Sequence, residues 1–586
     1  MKILFIVSSF NGLSQRAWIE LDRLNHQVKV HVASTEDAMK EAVSDFKPDL
    51  IIAPYLKKKI PAEIYSRFTC FIVHPGIVGD RGSCSLDWAI LKEETEWGVT
   101  IIQATEKMDA GPAWATETFM LSKKSKSSVY RHELTQAAIK ALLRAIEQFE
   151  KHLGPEIIDV CNHSKGSWNR ATCNDDFHFD WKDNADDIIR KIHAADSSPG
   201  VLLQLGEEKF FCFGAHKEET LKGAPGQILA KRNNAICIAA GSDSIWLTHL
   251  KKNQEDSVKL PATLALGDAA SLIKEDNLSP FDHYNGKQTF REILYEESND
   301  VGFLHFDFYN GAMSSEQCMN LRAAFNEVKK RNVKVIVLCG GSDLWSNGIH
   351  LNIIEASDDP AKTAWENILA IDDLIEDIIR CDTHYVISSL HGNAGGGGVP
   401  FALAADKVIA RKGIVLNPHT HTIGLYGSEY WTYLLPRRIG TEKATQFTEQ
   451  CLPWGTEVAL EVKLIDECID ASGDAFNKIV KKMAEEIAAL PYFDKLLQAK
   501  QFKRRRDEAY KPLQKYREEE LMKMWKNFFE DDNQFDLKRY QFLHKKPGNE
   551  GAIVEGKDLY SERRKIWRRR KYEPLYYETE RKQNDL

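Results

Sequence analysis

Ser388-Ser389-Leu390-His391-Gly392-Asn393-Ala394-Gly395-Gly396-Gly397-Gly398-Val399-Pro400-Phe401-Ala402-Leu403-Ala404-Ala405-Asp406 carries an apolar segment through a glycine-rich turn into an apolar helix. Glycines at such a turn let the backbone come close to a ligand. The unpaired N–H groups of a helix start hold partial negative charge. A tight turn with no ligand satisfies the same pattern. No Gly-Lys-Ser/Thr follows, so the stretch is not a nucleotide phosphate loop. Upstream, residues 333–338 form a buried-strand run. They lead into Gly341-Ser342-Asp343-Leu344-Trp345-Ser346-Asn347-Gly348-Ile349-His350-Leu351.

This order, a strand and a Ser-x-Gly loop followed by a second strand and Gly-x-Ala-x-Gly-Gly-Gly, resembles the crotonase (enoyl-CoA hydratase/isomerase) family over residues 285–545. The resemblance implies that two backbone N–H groups, those of Ile349 and Gly397, hold the oxygen of an acyl-CoA thioester, with Gly396 and Gly398 beside them as cofactor-binding residues. Removing one donor of such a pair costs about 3–4 kcal/mol of transition-state stabilisation. Two departures stand out. Pro400 occupies the place of the hydratases' first Glu, and the second would fall at His419 or Thr420. Water addition to an enoyl-CoA is therefore not expected. A carboxylate follows in Gly424-Leu425-Tyr426-Gly427-Ser428-Glu429-Tyr430-Trp431. A Glu among aromatics has a raised pKa suited to proton transfer, with Tyr426 placed to steer the proton. A surface Glu on an amphipathic helix is the alternative. Basic residues that would meet the coenzyme A phosphates are Arg504, Arg505, Arg506, Arg539, Lys545 and Lys546, unless they form a solvated helix face.

The totals bound the rest. A chain of 586 residues, 43% hydrophobic and 28% charged, makes three or four globular units. A net charge of −8 gives no bulk attraction to nucleic acid. The 11 cysteines include no Cys-x-x-Cys, which reads as reduced thiols in the cytoplasm. The opening Met1-Lys2-Ile3-Leu4-Phe5-Ile6-Val7 reads as a strand rather than a secretory leader. No apolar run is long enough to span a membrane.

In residues 1–155, strands are expected at 3–7, 28–33, 50–54, 70–74 and 99–104. Helices are expected at 15–24, 35–46, 85–94 and 128–152. The alternation predicts a mainly parallel, doubly wound sheet with its ligand at the carboxyl ends of the strands. His74-Pro75-Gly76 stands at one such end, and the sequence continues to Asp80-Arg81-Gly82 and Met108-Asp109-Ala110-Gly111. This order resembles the folate-dependent formyltransferases. It implies His74 and Asp109 as the catalytic pair, with 10-formyltetrahydrofolate lying along Ala53-Pro54-Tyr55-Leu56-Lys57 and Arg81 nearby. The family's Asn, two residues before the His, is Ile72 here. Losing that amide weakens transfer to an amine, which needs proton removal, more than transfer to a thiol, whose thiolate forms readily. A methyl-packed strand end explains Ile72 equally well.

Residues 156–280 resemble the β-barrel domain that follows the catalytic domain of methionyl-tRNA formyltransferase, with a helix at 185–195. Cys161-x-His163 and Cys173-x4-His178 do not match structural zinc spacing, so no metal is expected. Residues 275–286 read as a linker. Residues 546–586 form a charged extension whose basic run, 563–571, reads as a surface arm rather than a nucleic-acid grip.

The whole is an α/β multidomain chain: a doubly wound formyltransferase domain, a small β-barrel domain and a crotonase-like ββα spiral. That pairing, with Ile72 and Pro400 at the altered places, resembles the hydrogenase maturation factors. The resemblance implies a bifunctional enzyme that makes formyl-CoA from 10-formyltetrahydrofolate and coenzyme A, then splits it to carbon monoxide and free CoA. The partners implied are small-molecule substrates and hydrogenase maturation proteins or the hydrogenase large subunit, with no nucleic acid and no membrane. Hydrolysis of formyl-CoA to formate, formylation of an amine, and a binding scaffold without turnover remain open from sequence.

Overall fold

The computed structural model describes residues 1–156, 166–283, 286–471, 473–530 and 534–545. The amino-terminal sheet has six strands: β1 (Lys2–Val7), β2 (Gln27–Val32), β3 (Leu50–Ala53), β4 (Cys70–His74), β5 (Glu96–Gln103) and β6 (Ala113–Met120), in the order β2-β1-β3-β4-β5-β6. The first four run parallel, as the alternation of strands and helices demands. β4 pairs β5 antiparallel, and β5 pairs β6 antiparallel. β6 is not among the expected strands, because Ala113-Trp114-Ala115-Thr116-Glu117-Thr118 runs from apolar to polar without alternating and follows a Gly-Pro turn. Its inner residues Trp114 and Ala115 are buried against Phe71 and the helix Thr135–Glu150.

The middle unit is an antiparallel sheet of β7 (Val201–Leu205), β8 (Glu208–Glu218), β9 (Ile228–Arg232), β10 (Ala235–Ala239), β11 (Ser244–Lys252) and β12 (Leu260–Pro261). The helix Ala185–Ala195 packs on it, its apolar stripe of Ile188 and Ile192 fully buried. Because amino-terminal and middle residues share one apolar core, the two units are packed together rather than strung on a tether.

The third unit opens on β13 (Ile293–Ser298) and continues with β14 (Val301–Phe306) and β15 (Val335–Cys339). From there the chain alternates between two sheets. β16 (Leu344–Ser346), β18 (Asn393–Gly395), β20 (Val415–Asn417) and β21 (Trp454–Gly455) lie in a four-stranded sheet. β17 (Tyr385–Leu390), β19 (Lys407–Arg411) and β22 (Glu467–Ile469) join β13, β14 and β15 in a six-stranded one. Strand, strand, helix repeated in this way is a ββα spiral. It places both glycine motifs side by side, since Ser346 at the end of β16 pairs Ala394 in β18. Among the described residues no helix is long and apolar enough to cross a membrane.

Candidate active sites

The first site forms where β4 ends. His74 is 3% exposed, and its two ring nitrogens face different carboxylates. Nδ1 lies 3.7 Å from Asp109 Oδ1, and Nε2 lies 3.0 Å from Asp80 Oδ2. Asp80 was not singled out from sequence. It is 1% exposed, and Asn169 Nδ2 donates to its other oxygen at 3.2 Å. Asp80 therefore holds one edge of the imidazole and leaves Nδ1 to the looser, more open Asp109. An Asp six residues after a His in a glycine loop is a local signal in the sequence, whereas the formyltransferase pattern marks Asp109 alone. Asp109 has φ 50, a left-handed backbone that the turn enforces, and Gly82 N donates to its Oδ2 at 3.2 Å.

Ile72 sits two residues before His74 on β4, so both side chains share one face. It packs against the aliphatic cluster of Ile51 and Ala53 and offers no donor to a reacting oxygen. Leu56 packs on the same cluster. Lys57 N donates to Ser8 Oγ at 2.8 Å, tying the loop after β3 to the end of β1. Arg81 is exposed. Its backbone is stapled by Ser167 and Asn169, while its neighbours Asp80 and Gly82 face the His74–Asp109 pair.

The second site lies where the spiral brings its two loops together. Neither Ile349 N nor Gly397 N has a hydrogen-bond partner among the described residues. Gly348 has φ 76, and a Cβ there would stand 3.0 Å from Gly397 N. The two glycine loops therefore touch at this point. Gly396, at φ 50, donates its N–H to Asn417 O at 2.9 Å. A Cβ on Gly398 would collide with Ser346 O. Gly396 N is thus already committed, while the close approach of Ser346 fixes Gly398 in the turn.

Glu429 is 3% exposed, and its carboxylate lies against Gly397 so closely that any side chain there would collide with it. Burial pushes the Glu429 carboxyl up to about 8. The nearby Asp372 charge adds to the rise, and a hydrogen bond from Ser428 N partly offsets it. The mechanism of the shift is desolvation first and like charge second. Tyr426 stands apart. Its ring packs on Trp431 at 5.4 Å between centroids, and no hydrogen bond joins it to Glu429 among the described residues. The proton-steering role expected of Tyr426 is therefore not supported by this arrangement.

The expected phosphate ligands divide. Arg539 is fully buried, paired with Glu355 at 2.7 Å and Asp536 at 2.8 Å, its guanidinium over the Phe535 ring. The remaining terminal nitrogen, Arg539 Nη2, is buried without a hydrogen-bond partner. Arg504 likewise pairs with Glu508 and donates to the Tyr433 phenol. Lys545 differs: burial and the charges of Lys57 and Lys251 lower its pKa, which places three ammonium groups in one field. Lys546, residues 563–571, Cys161 and His163 lie outside the described residues. Cys173 caps a short turn with Asp176 rather than facing a metal.

Between the two sites the domains meet around a cavity of about 310 Å³ lined by Ser128, Arg131, Asp196, Tyr309, Asn310 and Asp343. Ser128 Oγ donates to Asp343 Oδ1 at 2.7 Å, and Arg131 donates to Asn310 Oδ1 at 2.8 Å. One wall leads by the Tyr130–Tyr55 ring contact, centroids 6.3 Å apart, to the loop after β3. The other leads by Asn310 O, which accepts from Asn347 Nδ2 at 2.8 Å, to the Ile349 loop.

These features define a formyltransferase joined to an enoyl-CoA hydratase/isomerase-like domain. The formyl transferase family matches residues 14–146, its carboxy-terminal domain residues 173–265, and the enoyl-CoA hydratase/isomerase family residues 304–569. The chain is 40% identical to the hydrogenase maturation factor HoxX of Bradyrhizobium diazoefficiens over 93% of its own length and 95% of that protein's. It therefore belongs to the HoxX/HypX family of hydrogenase maturation factors. The crystal structure of HypX from Aquifex aeolicus in complex with tetrahydrofolic acid superposes with a TM-score of 0.90 at 41% identity, covering 94% of this chain and 97% of that one. A methionyl-tRNA formyltransferase from Kosmotoga olearia is 26% identical over 36% of this chain and 69% of its own.

Proposed function

We propose that this chain transfers a formyl group from 10-formyltetrahydrofolate to the thiol of coenzyme A at His74, and then decarbonylates the formyl thioester at Glu429. The carbon monoxide released would serve nickel–iron hydrogenase maturation, with maturation proteins or the hydrogenase large subunit as receivers. The folate donor is supported by the tetrahydrofolic acid complex of the Aquifex relative and by the placement of His74 beside Asp109 at a strand end.

At the first site the leaving N10 of the folate needs a proton, and His74 supplies it while Asp80 and Asp109 hold the ring. The acceptor thiol loses the matching proton, so the exchange is neutral overall. Ile72 provides no amide to assist an amine nucleophile, which favours sulfur. Coenzyme A suits the cavity between the domains. Its phosphates meet the field of Lys57, Lys251 and Lys545, and its pantetheine arm spans toward two unpartnered amides.

The observation that carries the second step is Glu429. A buried carboxyl that ionises near pH 8 stands against an amide pair fit to hold one oxygen. The Ile349 and Gly397 N–H groups hold the formyl oxygen. The Glu429 carboxylate takes the formyl proton, the C–S bond breaks with its electrons going to sulfur, and Glu429 returns the proton to sulfur. The products are CO and HS–CoA. Burial of the site excludes the water that would otherwise give formate. Keeping both sites on one chain holds a hydrolysable thioester at high effective concentration.

The test mixes purified protein, 10-formyltetrahydrofolate and coenzyme A over reduced haemoglobin. The carbonmonoxy spectrum is the expected result. Stoichiometric formate without that spectrum would replace decarbonylation by hydrolysis, and labelled formyl on an amine acceptor would replace sulfur as the nucleophile.

A further inference from the structure

Glu429 does not sit in an ordinary helix. Gly427 has φ 91, Glu429 φ 61 and Tyr430 φ 57, so two consecutive side-chain-bearing residues take the left-handed conformation just before the helix Trp431–Ile439. L-residues rarely adopt that backbone and need outside support to hold it. Two buried carboxylates from two other helices supply the support. Asp372, on the helix Pro360–Arg380, accepts from Ser428 Oγ at 2.6 Å and from Glu429 N at 2.9 Å, both on Oδ1. Glu520, on the helix Leu513–Phe529, accepts from Tyr430 N at 2.9 Å and Thr432 N at 2.8 Å.

Asp372 is the unusual one. It is fully buried, and its second oxygen, Oδ2, has no hydrogen-bond partner. Buried acceptors are nearly always satisfied. Arg517 is the nearby cation, but its hydrogen bonds go to Asp373 at 2.6 Å and Glu376 at 2.9 Å, not to Asp372. The other ionisable groups facing this spot are Glu429 and Tyr430 on the turn, Glu520 beside Arg517, and Cys318 from the helix Ser315–Val328. A turn of this shape needs hydrogen-bond acceptors, and neutral ones would serve. A carboxylate with a bare buried oxygen beside a second carboxyl does something a carbonyl would not.

We propose that Asp372 is a positioning residue for the decarbonylation site: it locks the left-handed turn that aims Glu429 at the Ile349 and Gly397 amides, and its charge opposes ionisation of Glu429. This rests on Glu429 being the base of the proposed reaction. Burial raises both carboxyls, but Arg517 and the two donors draw Asp372 back, whereas Asp372 itself pushes Glu429 further up. The two environments separate the groups, leaving Asp372 as the resident anion and Glu429 as the carrier of the proton. Glu429 is then a stronger base at the moment it takes the formyl proton, and returns that proton readily to sulfur.

Asp372→Asn tests this, since the amide oxygen can still accept from Ser428 and Glu429 while the charge is gone. Carbon monoxide release is followed against pH, with tetrahydrofolate release as the control for the first site. The carbonyl stretch of the protonated Glu429, assigned by its disappearance in Glu429→Gln, is titrated by infrared difference spectroscopy without substrate. The expected result is that in Asp372→Asn the midpoints of both the rate limb and the infrared titration move to lower pH by about one unit, a tenfold change in the ratio of the two forms, while tetrahydrofolate release is unchanged. Midpoints identical to the wild type would overturn the proposal. Should Asp372→Asn not fold, Ser428→Ala leaves the Asp372 charge in place with one donor fewer to screen it, and is expected to move both midpoints the opposite way, to higher pH, by less than about one unit; no movement there overturns the proposal equally. Absence of carbon monoxide from the wild type would refute the decarbonylation reaction instead, and the infrared titration would still decide the role of Asp372.

Discussion

Replacing Glu429 with Gln removes a carboxyl that ionises near pH 8 in the folded chain against 4.5 for its ordinary value. Across that window the folded protein retains a proton that the unfolded chain has released. The folded state therefore binds more protons, and stability falls as pH rises from about 4.5 toward 8. Each pH unit costs about 1.4 kcal/mol, so the full window amounts to roughly 4–5 kcal/mol. The Gln variant carries no such term. At pH 5 the two proteins differ little through this group; by pH 8 the variant gains almost the whole amount. The assay is the thermal midpoint of both proteins at successive pH values from 5 to 8.5. The expected result is a gap that widens steadily in favour of the variant, with carbon monoxide release abolished and tetrahydrofolate release retained. A gap that stays constant across that range would show that Glu429 ionises at an ordinary pH, and the account of it as a buried base would fall.

Asp80→Asn is expected to slow tetrahydrofolate release about 10²-fold or more, because the imidazole loses the charged partner that orients it; a rate within twofold of wild type would return the orienting role to Asp109. Ile72→Asn is expected to add transfer of labelled formyl to an amine acceptor, and no gain would leave Ile72 as simple packing against Ile51 and Ala53. Gly397→Ala forces a methyl into the Glu429 carboxylate, so carbon monoxide release is expected to be lost while formyl transfer continues, as read by the same two assays. Arg539→Met removes the guanidinium that pairs with Glu355 and Asp536 and is expected to cost about 3–5 kcal/mol in stability, measured by denaturant unfolding; an unchanged KM for coenzyme A would make Arg539 purely structural, and a raised KM would make it a phosphate ligand.

Both glutamates and aspartates that matter here show why a linear pattern stops short. Asp109 was readable because an Asp-x-Gly after a strand is a local pattern. Asp80 was equally local, six residues from His74, but its distance to Nε2 depends on how the intervening glycine loop folds back. Arg539 shows the converse: the sequence marks a basic residue on a charged helix, and only packing puts Glu355, distant in sequence, against it.

Local order in the chain was enough for the strand-and-helix alternation at the amino end, the two glycine motifs and the family they belong to, because turn geometry and hydrophobic period act over a few residues. It was enough, too, to mark Glu429 by its aromatic neighbours. Only the folded molecule decided that Glu429 lies on Gly397, that Asp372 and Glu520 hold its backbone in the left-handed region, and that a cavity joins the two halves. Those outcomes depend on helices far apart in sequence arriving at one place, where exclusion of water turns ordinary carboxyls into groups with new proton affinities.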